Sequence, residues 1–336
     1  MCPKDNITLH MSSSSALSLE EKEHFLTHGW VKIPAAFTQQ RAQEIIANVW
    51  TRLGMDPNDK STWNKERVNM PSHMEFDAED FAPRAWAAIS ELCGGEDKIA
   101  NWSKKWKDSL IVNLGTPQGE GKPKPPHKLD NWHVDGDFFV HYLDSPEQGL
   151  LVIPLFTNIM PEGGGTMICP EAIPILAKHL YEHPEGVSPR MAPRGDAEFK
   201  QEQHLNWFNN VAKSCTHFVE ATGKVGDVYL LHPLMLHSAS SNAKRNVRII
   251  TNPPVALKQP FHFDREDGNY SLVEQVTLRA LRKDRLDGWK ITRPREQIVP
   301  ERVRIQERMK QEELARLEAL KKAAEAGASQ GVQAAA

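Results

Sequence analysis

His133-Val134-Asp135 sets an imidazole and a carboxylate one residue apart within the run Asn131-Trp-His-Val-Asp-Gly-Asp-Phe-Phe139. In extended chain, side chains alternate between faces, so His133, Asp135 and Asp137 would share one face and Val134 the other. Such groups left dry and unpaired are costly. Water, hydrogen-bonding partners or a cation can each satisfy them, and the pattern alone does not choose. A second copy of the pattern, His262-Phe263-Asp264, is set aside because no histidine follows it to complete a donor set.

Two imidazoles and one carboxylate arranged facially leave about three coordination positions open, which suits ferrous iron that must hold oxygen and an organic cosubstrate together. Such a set needs a distal histidine. The stretch Gly226 to Ile250 supplies His232 and His237. His232, beside Pro233, reads as structural, while the run past Pro233 delivers His237 to the far end of the same strand. Eleven residues beyond His237 stands Arg248. Its guanidinium is a rigid two-pronged donor matched to a carboxylate, so a dicarboxylate cosubstrate fits beside it. Asn113 and Thr157 are polar residues within apolar runs. They are candidates for cosubstrate contact, and a satisfied buried hydrogen bond explains them equally well. Trp132, Phe138, Phe139 and Phe156 read as core before substrate wall.

These residues need a scaffold, and from Lys107 onward the sequence supplies short β-rich runs between Pro and Gly. Six strand candidates stand out: Ser109–Gly115, Trp132–Leu143, Gly149–Met160, Gly165–Pro170, Gly226–Pro233 and Val247–Pro254. That number predicts a sandwich or small barrel. Before them, Ser18-Leu19-Glu20-Glu21 has the form of a helix-starting capping box, and Gly29 reads as the stop of that helix. Trp30–Phe37 reads as a strand and Thr38–Leu53 as one helix. Pro117–Lys128 is too rich in Gly and Pro for a regular element and is placed to cover a site. Residues 174–215 form a helical insertion between strands. From residue 272 the chain becomes helical and highly charged, with i, i+4 pairs of opposite sign and few large apolar residues. It reads as a solvated extension that packs loosely or self-associates, ending in a fraying tail.

Taken in order, His133-x-Asp135, Gly163-Gly164-Gly165-Thr166, Gly226-Asp227, His237 and Arg248 resemble the phytanoyl-CoA dioxygenase family of iron- and 2-oxoglutarate-dependent oxygenases. The opening from Leu17 to Thr38 is similar to the start of that family, and the resemblance covers roughly residues 17 to 256. It implies a mainly β fold with flanking helices around a double-stranded β-helix, or jelly roll. It implies Fe(II) held by His133, Asp135 and His237, 2-oxoglutarate gripped by Arg248, and O2 as second cosubstrate. The reaction implied is oxidation of a small organic substrate coupled to decarboxylation of 2-oxoglutarate to succinate. Two positions depart from the family pattern: Ala239 stands where many members have Ser, and Cys169-Pro-Glu-Ala172 replaces a frequent Pro-Gly-Ser-His. The second change alters the pocket wall.

Composition bounds the alternatives. With 41 basic against 44 acidic residues in 336, no electrostatic ground exists for a nucleic-acid or membrane-surface partner. No spanning-length apolar run and no secretory leader is visible, so a cytoplasmic protein is expected. The four cysteines are scattered without Cys-x-x-Cys spacing, which argues against a thiolate metal site. The organisation expected is a flexible segment 1–16, a catalytic domain 17–271 and a charged helical extension 272–336. The rival reading is a non-catalytic jelly-roll scaffold that recruits a partner through that extension.

Overall fold

The chain begins as its punctuation dictates. Ser18 accepts the N–H of Glu21 while Glu21 caps Ser18 in return, starting helix α1 (Leu19–His28). Gly29 ends it in the left-handed region at φ 70°, where its N–H closes onto Phe25. The computed structural model describes residues 15–200 and 205–333. The first fourteen residues of the expected flexible N-terminus, four residues of the insertion and the last three of the tail therefore lie outside it.

Among the described residues the strands are β1 (Trp30–Ile33), β2 (Arg67–Asn69), β3 (Glu75–Asp77), β4 (Lys105–Lys107), β5 (Ile111–Asn113), β6 (Leu150–Pro154), β7 (Thr166–Cys169), β8 (Val219–Ala221), β9 (Val228–Leu231), β10 (Leu236–Ala239), β11 (Arg248–Ile250) and β12 (Pro254–Val255). All pairings are antiparallel. They form four sheets, ordered β1-β9-β6-β12, β10-β7-β8, β11-β5-β2 and β3-β4, with no closed barrel. Strands β6 and β9 are buried along their whole length, as the middle of a covered sheet requires. Phe37, Phe76, Phe81, Trp106 and Phe156 pack ring to ring beside that sheet.

The remaining helices are α2 (Gln39–Ile46), α3 (Val49–Leu53), α4 (Ala78–Phe81), α5 (Pro83–Leu92), α6 (Ala172–Glu182), α7 (Asn206–Ser214), α8 (Leu272–Leu281) and α9 (Arg302–Gln333). The expected single helix over Thr38–Leu53 breaks at Asn48, whose φ of −101° and ψ of 10° leave the helical region. The run from Gly226 to His237 is likewise two strands. Pro233 cannot donate to a ladder, and the turn there ends β9 in one sheet and starts β10 in another.

Trp132–Leu143 is the largest departure. It forms no strand, and its β pairing is limited to isolated bridges, His133 with His237, Phe139 with Gln297 and His141 with Val187. Gly136 is the physical reason. Its φ of +117° turns the chain, and a Cβ there would lie 2.6 Å from Phe139 and 2.7 Å from His141. Alternation therefore stops at Asp135. Asp137 swings away to pair with Arg302 instead of sharing a face with His133.

The charged extension is not one loose helix. Residues 282–301 are irregular, and α9 is pinned to α3 by a buried ion network. Arg52 binds Glu313 at 2.8 Å and Asp108 at 2.7 Å, and His73 adds a 2.8 Å contact to Glu313, whose side chain is 1% exposed. Arg316 caps the carbonyl of Arg52 at 2.6 Å. Leu314 and Leu320 stay exposed. No helix among the described residues is long and apolar enough to cross a membrane.

Candidate metal centre

The bridge between His133 and His237 builds the site from the backbone outward. Each donates its N–H to the other's carbonyl at 2.9 Å, so the two side chains emerge together with ring centroids 4.4 Å apart. The Nδ1 of His133 bonds the carbonyl of Asn131 at 2.7 Å, and the Nδ1 of His237 bonds that of Met235 at 3.0 Å. A carbonyl only accepts, so both Nδ1 atoms carry hydrogen and both Nε2 atoms are turned toward Asp135. This is the second support that metal-binding histidines require.

Asp135 meets them. Its Oδ1 lies 3.6 Å from Nε2 of His133 and 3.5 Å from Nε2 of His237. All three donor atoms fall within 4.8 Å of one another, and no other group of three His, Cys, Asp or Glu does so among the described residues. Donors around one ion at bond lengths near 2.1 Å stand roughly 3 to 3.6 Å apart. The other carboxylate oxygen is occupied: Asn252 donates Nδ2 to Oδ2 at 3.2 Å.

The charges match what a cation demands. Burial, then the neighbouring His237, pulls His133 down to about 4, leaving it neutral at physiological pH. Burial works to raise Asp135, but the hydrogen bond and charge of His237, then His133 and Asn252, hold it well below the usual carboxylate range. Burial works to lower His237, but the hydrogen bond and charge of Asp135, with the bond to Met235 O, together raise it. Metal binding would displace the proton that Asp135 favours on His237, leaving two neutral imidazoles and one anionic carboxylate as donors. A small cavity opens from Asp135 onto Phe139, His141, Gln148, Leu234 and Phe261.

Arg248 is 1% exposed and makes no ion pair among the described residues, although the charge of Glu220 acts on it. Its Nε donates to Gly164 O at 2.6 Å and its Nη1 to Ile111 O at 3.1 Å. Burial, with the added charge of Arg67, pulls it below the ordinary arginine value. Asn252 follows Arg248 by four residues, so their Cα atoms lie within roughly 14 Å of each other at full extension. The triple glycine is explained here. Gly164 holds φ +83° and a Cβ on it would lie 2.7 Å from the amide of Asn113.

Asn113 is opposite Arg248 in the register of β5 and β11. Its amide already donates to Ser240 O at 3.1 Å and accepts from Gly115 N–H at 3.1 Å. Thr157 accepts the N–H of Ile249 at 3.0 Å through its hydroxyl. The hydroxyls flanking Ala239 are engaged too, Ser238 with Ala239 O at 3.2 Å and Ser240 with Glu220 at 3.3 Å. His232 is fully buried and is not one of the three converging donors; it is bonded to Thr277 at 3.0 Å. His262 uses its backbone N–H on Glu274. Sequence reasoning missed Asn252, whose only signal was a polar residue before the Pro253-Pro254 stop of β11.

No protein-family model matches the chain, and no curated protein matches its sequence. Several solved structures show a partial likeness to the chain. EctD from S. alaskensis with 2-oxoglutarate and 5-hydroxyectoine is 15% identical, covers 73% of this chain and 78% of its own, and superposes at a TM-score of 0.41. HygX from Streptomyces hygroscopicus with nickel and 2-oxoglutarate is 13% identical, at 72% and 88% coverage and a TM-score of 0.40. SnoK, an alpha-ketoglutarate-dependent carbocyclase from nogalamycin biosynthesis, is 15% identical, at 73% and 86% coverage and a TM-score of 0.38. Superposition at this level defines neither activity nor substrate.

Proposed function

We propose that this protein is an Fe(II)- and 2-oxoglutarate-dependent oxygenase of the phytanoyl-CoA dioxygenase type, acting on a small organic substrate, with its sheets forming a double-stranded β-helix between the flanking helices. One observation carries this reading: two imidazoles with Nδ1 locked on carbonyls and a carboxylate locked by Asn252 turn three donor atoms to one point. His133, Asp135 and His237 would hold the iron, leaving about three positions for cosubstrates. Bound there, iron supplies oxidation of a substrate C–H bond by O2 coupled to decarboxylation of 2-oxoglutarate to succinate.

The chain's own residues set the conditions. Arg248, buried and in no ion pair among the described residues, would receive the distal carboxylate of 2-oxoglutarate in a two-pronged contact. Asn113 and Thr157 flank it, and with their polar atoms already engaged by backbone they shape that pocket more than they bind in it. Asp135 would supply the carboxylate ligand that a small residue replaces in related halogenases, which favours hydroxylation, desaturation or epoxidation over halogenation. The test is anaerobic: Fe(II) and 2-oxoglutarate added to the purified protein should give a weak visible charge-transfer absorption that His133→Ala abolishes, with succinate release following oxygen. No absorption in the wild type, or succinate release undiminished in His133→Ala, would overturn the assignment.

A further inference from the structure

The C-terminal extension is stitched to the loop that carries Asp135. Val140 donates its N–H to Glu296 O at 2.9 Å, Ile298 donates to Phe138 O at 2.7 Å, and Phe139 faces Gln297 in an antiparallel bridge. Side chains extend this seam in both directions. Tyr142 Oη reaches the carbonyls of Arg293 and Pro294 at 3.1 and 3.0 Å, and Arg295 pairs with Asp144 at 2.8 Å. At the end nearest the metal ligands Arg302, the first residue of α9, grips both oxygens of Asp137 in a two-pronged contact. Asp137 is joined to Asp135 only through Gly136, the one residue of the loop in a positive-φ turn. Beyond α9's first turn, Glu313 and Arg316 clamp the helix to α3, so Arg302 is presented from a fixed element.

A ligand carboxylate must be held to within about 0.5 Å, and a glycine-hinged loop does not provide that by itself. We propose that Arg302 is a positioning residue for the metal centre: through Asp137 it fixes the loop that aims Asp135 at His133 and His237. This rests on the metal role proposed above for those three residues. Electrostatics alone argues for the opposite effect of losing Arg302. Its positive charge reaches Asp135 as well as Asp137, and a cation beside a cation site opposes metal binding. Removing it should tighten binding if charge is all it contributes, and weaken binding if it holds the loop. The sign of the change therefore separates the two roles.

The measurement is the Co(II) dissociation constant of the full-length protein, by competition with a chromogenic chelator, beside the thermal midpoint. We expect one Co(II) per wild-type chain and binding about tenfold weaker in Arg302→Ala, the low end of what lost outer-shell support costs. Asp137→Asn, isosteric and acting from the other side of the contact, should weaken binding similarly, and Arg302→Lys should recover most of the loss. Arg302→Ala and Asp137→Asn proteins that bind Co(II) as tightly as wild type, or tighter, would overturn the proposal while leaving the metal assignment standing. A wild-type chain that binds no Co(II) would overturn both.

Discussion

Arg248→Met separates binding from stability at a single position. The guanidinium is 1% exposed, has no ion-pair partner among the described residues and donates to the carbonyls of Gly164 and Ile111. Two charge-assisted hydrogen bonds to a carboxylate contribute about 1.5–3 kcal/mol each. Their loss should therefore weaken 2-oxoglutarate binding by roughly two to four orders of magnitude. Stability should respond differently. Methionine removes a buried charge whose desolvation costs several kcal/mol, but it also strands two carbonyl oxygens at about 1–3 kcal/mol each. These effects oppose each other, and the unliganded variant should unfold within about 2 kcal/mol of wild type. The assay is anaerobic calorimetry of 2-oxoglutarate into Co(II)-loaded protein, with urea unfolding of the ligand-free forms. Affinity within threefold of wild type would refute the role given to Arg248.

Three further outcomes follow from the same contacts. Asn252→Leu keeps the volume but frees Oδ2 of Asp135, and should weaken Co(II) binding about 10- to 100-fold by chelator competition. Glu313→Ala strips the partner of Arg52 and His73 from a site 1% exposed, and should cost about 3–5 kcal/mol in urea unfolding, far above the loss at an exposed α9 pair such as Lys322–Glu318. His232 is pulled from 6.5 to about 3 by burial. A depressed folded-state value means its contribution is intact above pH 6.5 and is lost as pH falls toward 3, about 2 kcal/mol of it by pH 5. The drop in urea midpoint between pH 7 and pH 5 should be smaller in His232→Gln, and an unchanged drop would contradict this.

What the sequence revealed was local or rested on ordered spacing. The Ser18 capping box and the Gly29 stop need only neighbouring residues, and both form as expected. His133, Asp135 and His237 do come together, yet not by the route expected. Strand alternation predicts a face shared with Asp137, whereas Gly136 breaks the strand and a two-residue bridge aligns the imidazoles. Pro233 divides what reads as one strand, because a missing N–H ends the ladder without ending the apolar run. The Asn252–Asp135 contact spans 117 residues and the Arg52–Glu313 contact 261. Pairing at such distance leaves no mark in periodicity, so the anchoring of α9 was invisible in a stretch that reads as solvated.

A metal ion is proposed to bind where His133, Asp135 and His237 converge. Crystals grown with Fe(II) under anaerobic conditions and measured at the iron absorption edge test it directly. One anomalous peak is expected within bonding distance of Nε2 of His133, Oδ1 of Asp135 and Nε2 of His237. An ordered triad without a peak, or a peak on other side chains, would contradict it.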